Sequence, residues 1–438
     1  MSCPTFKVTI GVPIFGLAFT SSNQLILGGG GGNTRSGVKN KLSSFKVDVR
    51  RKDLEEDATF EFEKGEDAPM CLDVHPRQDY VVTSVNSTVE DMIARKNTNC
   101  RHFKIAHDKF ELEKALSTLQ SEKEEDYQKV VRFSEDGSLV ATGNTDGYVN
   151  VFRYPEFEAI CEPIQVSTDD EVLDVDINLE KEKLTCVLRD GLRLINLRGK
   201  NVGQTVQTIS ATTVVKNEKT QFRAFRYGRG YTKDFGFAVV NGITKPGAYI
   251  VKYDAYSFDQ VKISKVSSKP ITAFTIGQDG AVLAFASADL SITLLDAQTL
   301  KVLTKVKDAH TFSITSIAIS PDRRLLASAS ADTTCRIVSL PLQFNNALSI
   351  NPLYTLLLAL VVAGLLLLLM SVLDLDPYFK AREDAYKNPV SAETTTTTTT
   401  ADNVATFSPS ATIEAIITTI ITETPTFVEH VFASKDEL

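Results

Sequence analysis

Tryptophan is absent from this chain, histidine occurs only five times, and none of the six cysteines has a partner at CxxC spacing. Each absence removes a class of function. The scattered His75, His102, His107, His310 and His430, with no paired acids near a glycine turn, supply no hydrolase, transferase or metal constellation. Cys3, Cys71, Cys100, Cys161, Cys186 and Cys335 lack the pairing of a zinc site or redox motif, and read as small core residues in a reducing compartment. Positive charge is not in excess: the net charge is −8, whereas a general nucleic-acid binder carries a basic surface that replaces counterions. Nucleic acid is therefore not an expected partner. The N-terminus MSCPTFKVTIGVPIFG lacks a basic segment, a long apolar stretch and a small-residue cleavage site, so the first 350 residues are expected to stay in the cytosol.

What is present begins with one long apolar run. Residues 353–373, LYTLLLALVVAGLLLLLMSVL, form 21 consecutive uncharged positions. At about 1.5 Å per residue such a helix covers the ~30 Å hydrocarbon core, so a transmembrane helix is predicted there. Lys380, Arg382 and Lys387 follow the span while only Arg336 lies within about 20 residues before it, a balance that favours the opposite orientation. Two observations outweigh it. A long folded domain without a signal sequence is hard to translocate, and the chain ends in Lys435, Asp436, Glu437 and Leu438, a tetrapeptide that a retrieval receptor reads only in the lumen of the endoplasmic reticulum (ER). The reading is a single-pass type II protein of the ER membrane, with its N-terminal domain cytosolic. From Asp374 onward there are eleven acidic and four basic residues, so the acidity belongs mainly to the tail. Thr394 to Thr400 is an unbroken threonine run, low-complexity sequence that buries no core, while Ile413 to Ile421 is apolar enough to face a partner.

Repeats decide the fold of the long N-terminal part. VVRFSEDGSLVATGNTDGYVNVF (Val130 to Phe152), ITAFTIGQDGAVLAFASADLSITLLD (Ile271 to Asp296) and SITSIAISPDRRLLASASADTTCRIVSL (Ser313 to Leu340) share one order. An alternating strand leads through a polar turn to a strand ending in small residues, then an Asp turn and a third strand. Weaker copies start at Phe15, Met70, Val172 and Phe222, giving seven units. Each writes a four-stranded blade, so the fold class is all-β: a seven-bladed β-propeller over 1–345, one transmembrane helix over 353–373, and a lumenal tail over 374–438. The units resemble WD40 repeats, with Phe152, Leu295 and Val338 standing where that family usually has tryptophan. The first strand, Lys7 to Gly11, is expected to join the last blade and close the ring. Residues 100–127, rich in Glu and Lys, read as an insertion or long outer loop.

One segment departs from the blade pattern. After the strand QLILG come GGGGNTRSGVKNKLSSFKV, Gly29 to Val47, with five glycines from Gly28 to Gly32. A phosphate-binding P-loop needs Gly-Lys-Ser/Thr opening a helix, and here Gly37 is followed by Val38-Lys39-Asn40, so no nucleotide is expected to bind. Glycines can turn several carbonyl oxygens inward, and oxygens so placed replace the hydration shell of a cation.

The string GGGGGNTRSGVKNKL between the first two strands of a Trp-poor, seven-bladed propeller, followed by a span and a retrieval signal, resembles the ER-membrane guanine nucleotide exchange factors that activate the Sar-type small GTPase and start COPII coat assembly in ER–Golgi vesicle transport. The resemblance implies that the loop projects toward the GTPase and binds potassium through carbonyls around Gly30, Gly31 and Asn40. It implies that Asn40 is needed for exchange, and that Gly29, Gly30, Gly31, Gly32, Asn33, Gly37, Val38, Lys39 and Lys41 form the GTPase-binding loop. Pro69 and Ala309-His310 also match family positions; Pro69, His310 and Asp332 read as structural. Exchange makes no covalent chemistry. The alternative is an exchange-inactive ER-anchored scaffold that binds the GTPase or coat components, against which Asn40 argues.

Overall fold

Alternating apolar residues bury one face of a strand, and four-stranded antiparallel units built this way fill the first of two compact units, Met1–Ala347. The computed structural model describes residues 3–33, 37–344 and 352–372. Blade 1 runs Ile14–Phe19, Leu25–Gly29, Lys41–Asp48 and Asp53–Glu61 from the inside outward. Blades 2, 4, 5 and 6 repeat that order, and in blade 3 the outer strand is reduced to Glu158–Ala159 and Ile164–Gln165, both paired with Tyr148–Arg153. The inner strands of successive blades are neighbours around the ring, and that of blade 7 meets that of blade 1.

Closure is as the sequence indicated. Thr5–Thr9 pairs antiparallel with Thr334–Ser339, with Lys7 opposite Arg336, and supplies the outer strand of blade 7. The two ends of the ring are thereby joined within one blade, and Thr334–Ser339 is not left as an open edge.

The core is divided among the blade interfaces. Among the described residues seven hydrophobic clusters are present, one between each neighbouring pair of blades. Phe103, Phe222, Phe225, Phe237 and Phe285 are the largest fully buried aromatic side chains, each worth roughly 2–3 kcal/mol of apolar burial. Phe152, Leu295 and Val338 are likewise buried, so apolar residues fill the positions where tryptophan is missing. Five of the cysteines are buried and Cys161 is half-buried; all are free.

The reading of residues 100–127 as an insertion is corrected. Cys100–Ile105 and Phe110–Leu116 are the third and outer strands of blade 2. The outer strand, FELEKAL, has solvent over much of its surface, so charges occupy positions that an inner strand would give to apolar residues.

The second unit contributes one described element, a helix over Pro352–Val372 that coincides with the apolar run. Its described side chains lie at 357 and 359–369, a stretch of about 20 Å. Among the described residues no helix is long and apolar enough to cross a membrane. The tail over 374–438, with the threonine run, the Ile413 to Ile421 segment and the retrieval tetrapeptide, lies outside the described residues.

Candidate functional site

The connection between the second and third strands of blade 1 spans residues 30–40 and is anchored at its root by close backbone packing. A Cβ at Gly29 would lie 2.0 Å from the Pro13 carbonyl oxygen. Gly30 donates its N–H to that same carbonyl at 2.9 Å and has φ +156°, a conformation that side chains rarely adopt. A Cβ there would fall 2.1 Å from Oδ1 of Asn40. Glycine at 30 is what lets Asn40 pack against the loop's entry.

Asn40 is only 8% exposed. Its Oδ1 accepts from Gly32 N–H at 2.9 Å, while Nδ2 donates to the carbonyls of Gly32 at 3.0 Å and Glu66 at 2.8 Å. Its backbone carbonyl accepts from Phe62 N–H at 3.0 Å. The amide therefore ties the glycine turn to the strand that follows and to the 62–71 connection. Each bond is worth about 1 kcal/mol net, and losing the side chain would strand buried partners at greater cost.

A second layer holds the tie. Glu66, itself buried, accepts from Glu63 N–H at 2.8 Å through Oε2 and pairs through Oε1 with the buried Arg101, whose guanidinium lies 5.7 Å from the centre of the Phe62 ring. Asp67 stands beside Gly32: its Oδ1 would be 3.2 Å from a Cβ there and accepts from Ala68 N–H at 2.8 Å. Burial raises the Asp67 carboxyl, with the N–H groups of Ala68 and Asn33 working against it. Sequence reasoning missed Pro13, Glu66, Asp67 and Arg101. The acidic GEDAP stretch after the outer strand was the available signal.

Toward the tip the loop is open. Gly37 has φ +76° with free space around it, Val38 and Lys39 are exposed, and Lys39 Nζ meets Glu61 Oε2 at 2.6 Å in a solvent-facing pair. Lys41 opens the third strand opposite Glu61. The structure thus brings Gly29, Gly30, Gly32, Asn33, Asn40 and Lys41 to one root and leaves Gly37, Val38 and Lys39 outward. Gly31 lies in the turn between them.

Pro69 and His310 lie elsewhere in the packing. A Cβ at Gly28 would be 3.0 Å from Pro69 Cβ, so the proline covers the end of blade 1's second strand. His310 is buried, with Nδ1 3.0 Å from Thr334 Oγ1 and 3.3 Å from Asp332 Oδ1, and Nε2 2.8 Å from Ser328 Oγ. Asp332 accepts from Thr311 N–H at 2.8 Å and Thr334 N–H at 3.0 Å. Burial pushes the Asp332 carboxyl up, but the hydrogen bonds from Thr334 and Thr311 and the His310 ring outweigh it and hold it well below the usual carboxylate range.

The ring and its blade signature define the class, a WD-repeat β-propeller. A model of the WD domain, G-beta repeat, matches residues 301–339. The crystal structure of Chaetomium thermophilum Raptor superposes with TM-score 0.59 at 12% identity, over 77% of this chain and 28% of that one, a likeness of fold. Similar curated proteins include guanine nucleotide-exchange factor SEC12 of Candida glabrata, 25% identical over 358 residues, covering 78% of this chain and 73% of the relative. SEC12-like protein 2 of Arabidopsis thaliana is 23% identical, over 69% of this chain and 72% of its own length, and SEC12 of Mus musculus is 23% identical, over 75% and 89%. Within that class the chain is similar to proteins named SEC12 guanine nucleotide-exchange factor and SEC12-like protein.

Proposed function

We propose that this chain is a guanine nucleotide-exchange factor for a Sar-type small GTPase, working at the ER membrane to start COPII vesicle budding. The observation that carries the reading is the Asn40-tied glycine loop, in a chain similar to proteins named guanine nucleotide-exchange factors.

Exchange needs a surface that binds the nucleotide-free GTPase better than the GDP-bound form; each 1.4 kcal/mol of that difference shifts the balance about tenfold. A loop rigid at its root and exposed at its tip suits the task. The tip residues Val38 and Lys39 would meet the GTPase, and Asn40 would act from within by holding Gly32 in place. Asn40 is thus a positioning residue in this reading.

A potassium ion fits the donor chemistry of the root, which offers only hard oxygen ligands beside the half-buried carboxylate of Asp67, which makes no ion pair among the described residues. Carbonyls around Gly30 and Gly31, with Oδ1 of Asn40, would hold it. The ion would supply positive charge that keeps inward-turned carbonyls together.

The helix over Pro352–Val372 would anchor the protein, with the tail lumenal and the terminal tetrapeptide recognised by the retrieval receptor. Activated GTPase would then form at the membrane it must enter. The test is GDP release from a purified Sar-type GTPase, followed by intrinsic fluorescence, with the protein added in potassium and then in sodium buffer. Accelerated release supports exchange and a slower rate in sodium supports the ion. No acceleration by folded protein favours the exchange-inactive scaffold.

A further inference from the structure

The seven inner strands enclose a central channel of about 710 Å³. Its wall is electrically lopsided. The inner strands of blades 6, 7 and 1, ITAFTI, ITSIAI and IFGLAF, carry no charge, and every charged lining residue comes from blades 2 to 5, five cationic and three acidic.

A repeated backbone device aims residues into this space. The pairing of the first and second strands shifts register between Gln128 and Val130, Phe222 and Ala224, and Ile271 and Ala273, leaving Lys129, Arg223 and Thr272 as the extra residues, all on the channel wall. Bulges re-aim side chains in this way. Lys129 is answered by Glu171 at 2.6 Å, but Arg223 makes no hydrogen bond or ion pair among the described residues.

The guanidinia nearby have few partners: besides a shared carboxylate, Arg132 Nη1 donates to the Val131 carbonyl at 3.3 Å and Arg226 Nη1 to that of Phe225. Arg132 and Arg226 share one carboxylate, Asp174: Arg132 Nη2 is 3.8 Å from Oδ1, and Arg226 Nη1 binds Oδ2. Nε of Arg132 is buried without a hydrogen-bond acceptor. The carboxylates are already committed to the backbone of neighbouring blades. Asp73 accepts from Phe133 N–H at 2.8 Å, Asp174 from Phe225 N–H at 3.2 Å, and Asp176 from Tyr227 N–H at 2.8 Å. Burial lowers the pKa of Arg226, and the neighbouring Arg132 lowers it further. Guanidinia held in or beside a buried wall with few acceptors are costly unless a counter-charge joins them.

We propose that the central channel binds a small phosphate-type oxyanion, free or as a monoester, held by Arg132, Arg223 and Arg226. Guanidinium forks match tetrahedral oxyanions, and the cavity is large enough to admit a monoester as well as the bare ion. The inference is independent of the exchange reading.

The test is calorimetric melting and titration of the full detergent-solubilised chain at constant ionic strength, in chloride, inorganic phosphate or glycerol phosphate. At 10 mM phosphate the midpoint is expected to rise by about 2 °C over chloride, with one ion bound per chain. Arg223→Met removes no partner from any other group, so in chloride its midpoint should stay level or rise, while phosphate binding falls at least tenfold. Arg223→Lys should keep part of the binding and serves if the methionine variant does not fold. A larger shift in glycerol phosphate identifies the monoester as the ligand, and equal shifts identify the phosphate group itself. Identical midpoints of the wild type in chloride and in both phosphates, or an undiminished shift in folded Arg223→Met, would overturn the proposal.

Discussion

Blades 1 and 7 make the same connection, from second strand to third, in opposite ways. In blade 7 it takes residues 331–333, and Asp332 stitches it to Thr311, Thr334 and the His310 ring. In blade 1 it takes residues 30–40, and one buried amide, Asn40, gathers the turn. A carboxylate network inside a blade interface serves the stability of the ring. An amide at the root of a long exposed loop leaves the ring alone and fixes a shape that reaches outward. The same position in the fold is thus used once for stability and once for presentation.

Substitutions at the two sites should separate these roles. The largest effect is expected from Asn40→Ala, which removes three hydrogen bonds and strands Gly32 N–H; stimulated GDP release should fall roughly 30-fold or more at temperatures where the ring stays folded, while the melting midpoint drops by about 4 °C. Gly30→Ala should approach that loss, since its Cβ would collide with Asn40, whereas Gly37→Ala meets no atom and should cost only about 1 kcal/mol of local backbone strain. Asp332→Ala should do the reverse, costing about 2–4 kcal/mol in denaturant unfolding with exchange unchanged at temperatures where the ring is intact. A similar exchange loss from both Asn40→Ala and Asp332→Ala would break the contrast.

The ring also carries a pH response of its own, at a histidine far from the loop in sequence. His102 stacks on Tyr80 with ring centres 4.9 Å apart, and burial pushes its pKa down to about 4, with Lys114 adding to the shift. Glu113 stands 3.8 Å from Nδ1, yet it is partly exposed and too weakly placed to reverse the effect of burial. The unfolded chain takes up this proton near pH 6.5 and the folded chain only near 4, so stability present above about pH 6.5 is lost as pH falls toward 4. At pH 5 the loss should be about 2 kcal/mol, read from urea midpoints, and His102→Phe should flatten that slope. The smallest effect belongs to Lys39→Met. Its pair with Glu61 is 71% and 49% exposed on its two sides, so stability should move by under about 0.5 kcal/mol, and a fall in exchange would mark Lys39 as a contact to the GTPase.

Much of the ring was legible in the chain. Turn residues such as Asp136-Gly137 and Asp279-Gly280, set between alternating strands, gave the blade period, and Lys7 to Gly11 gave the closing strand. The outer strands of blade 2 were not legible, because FELEKAL carries the charges of a solvent-facing edge and reads as a loop. At the site, the glycine run and Asn40 stood out, but the partners of Asn40 did not: Glu66 lies 26 positions away and meets it only through the fold. Arg223 was hidden for a related reason, since a bulge in strand pairing has no signature in FRAFRY alone.

The most direct measurement is GDP release from a Sar-type GTPase with wild-type protein and Asn40→Ala, both held at a temperature where each is fully folded. Fast release by the wild type and slow release by the folded variant is the predicted result. Equal rates from the two folded proteins would contradict the claim that the Asn40-tied loop performs exchange.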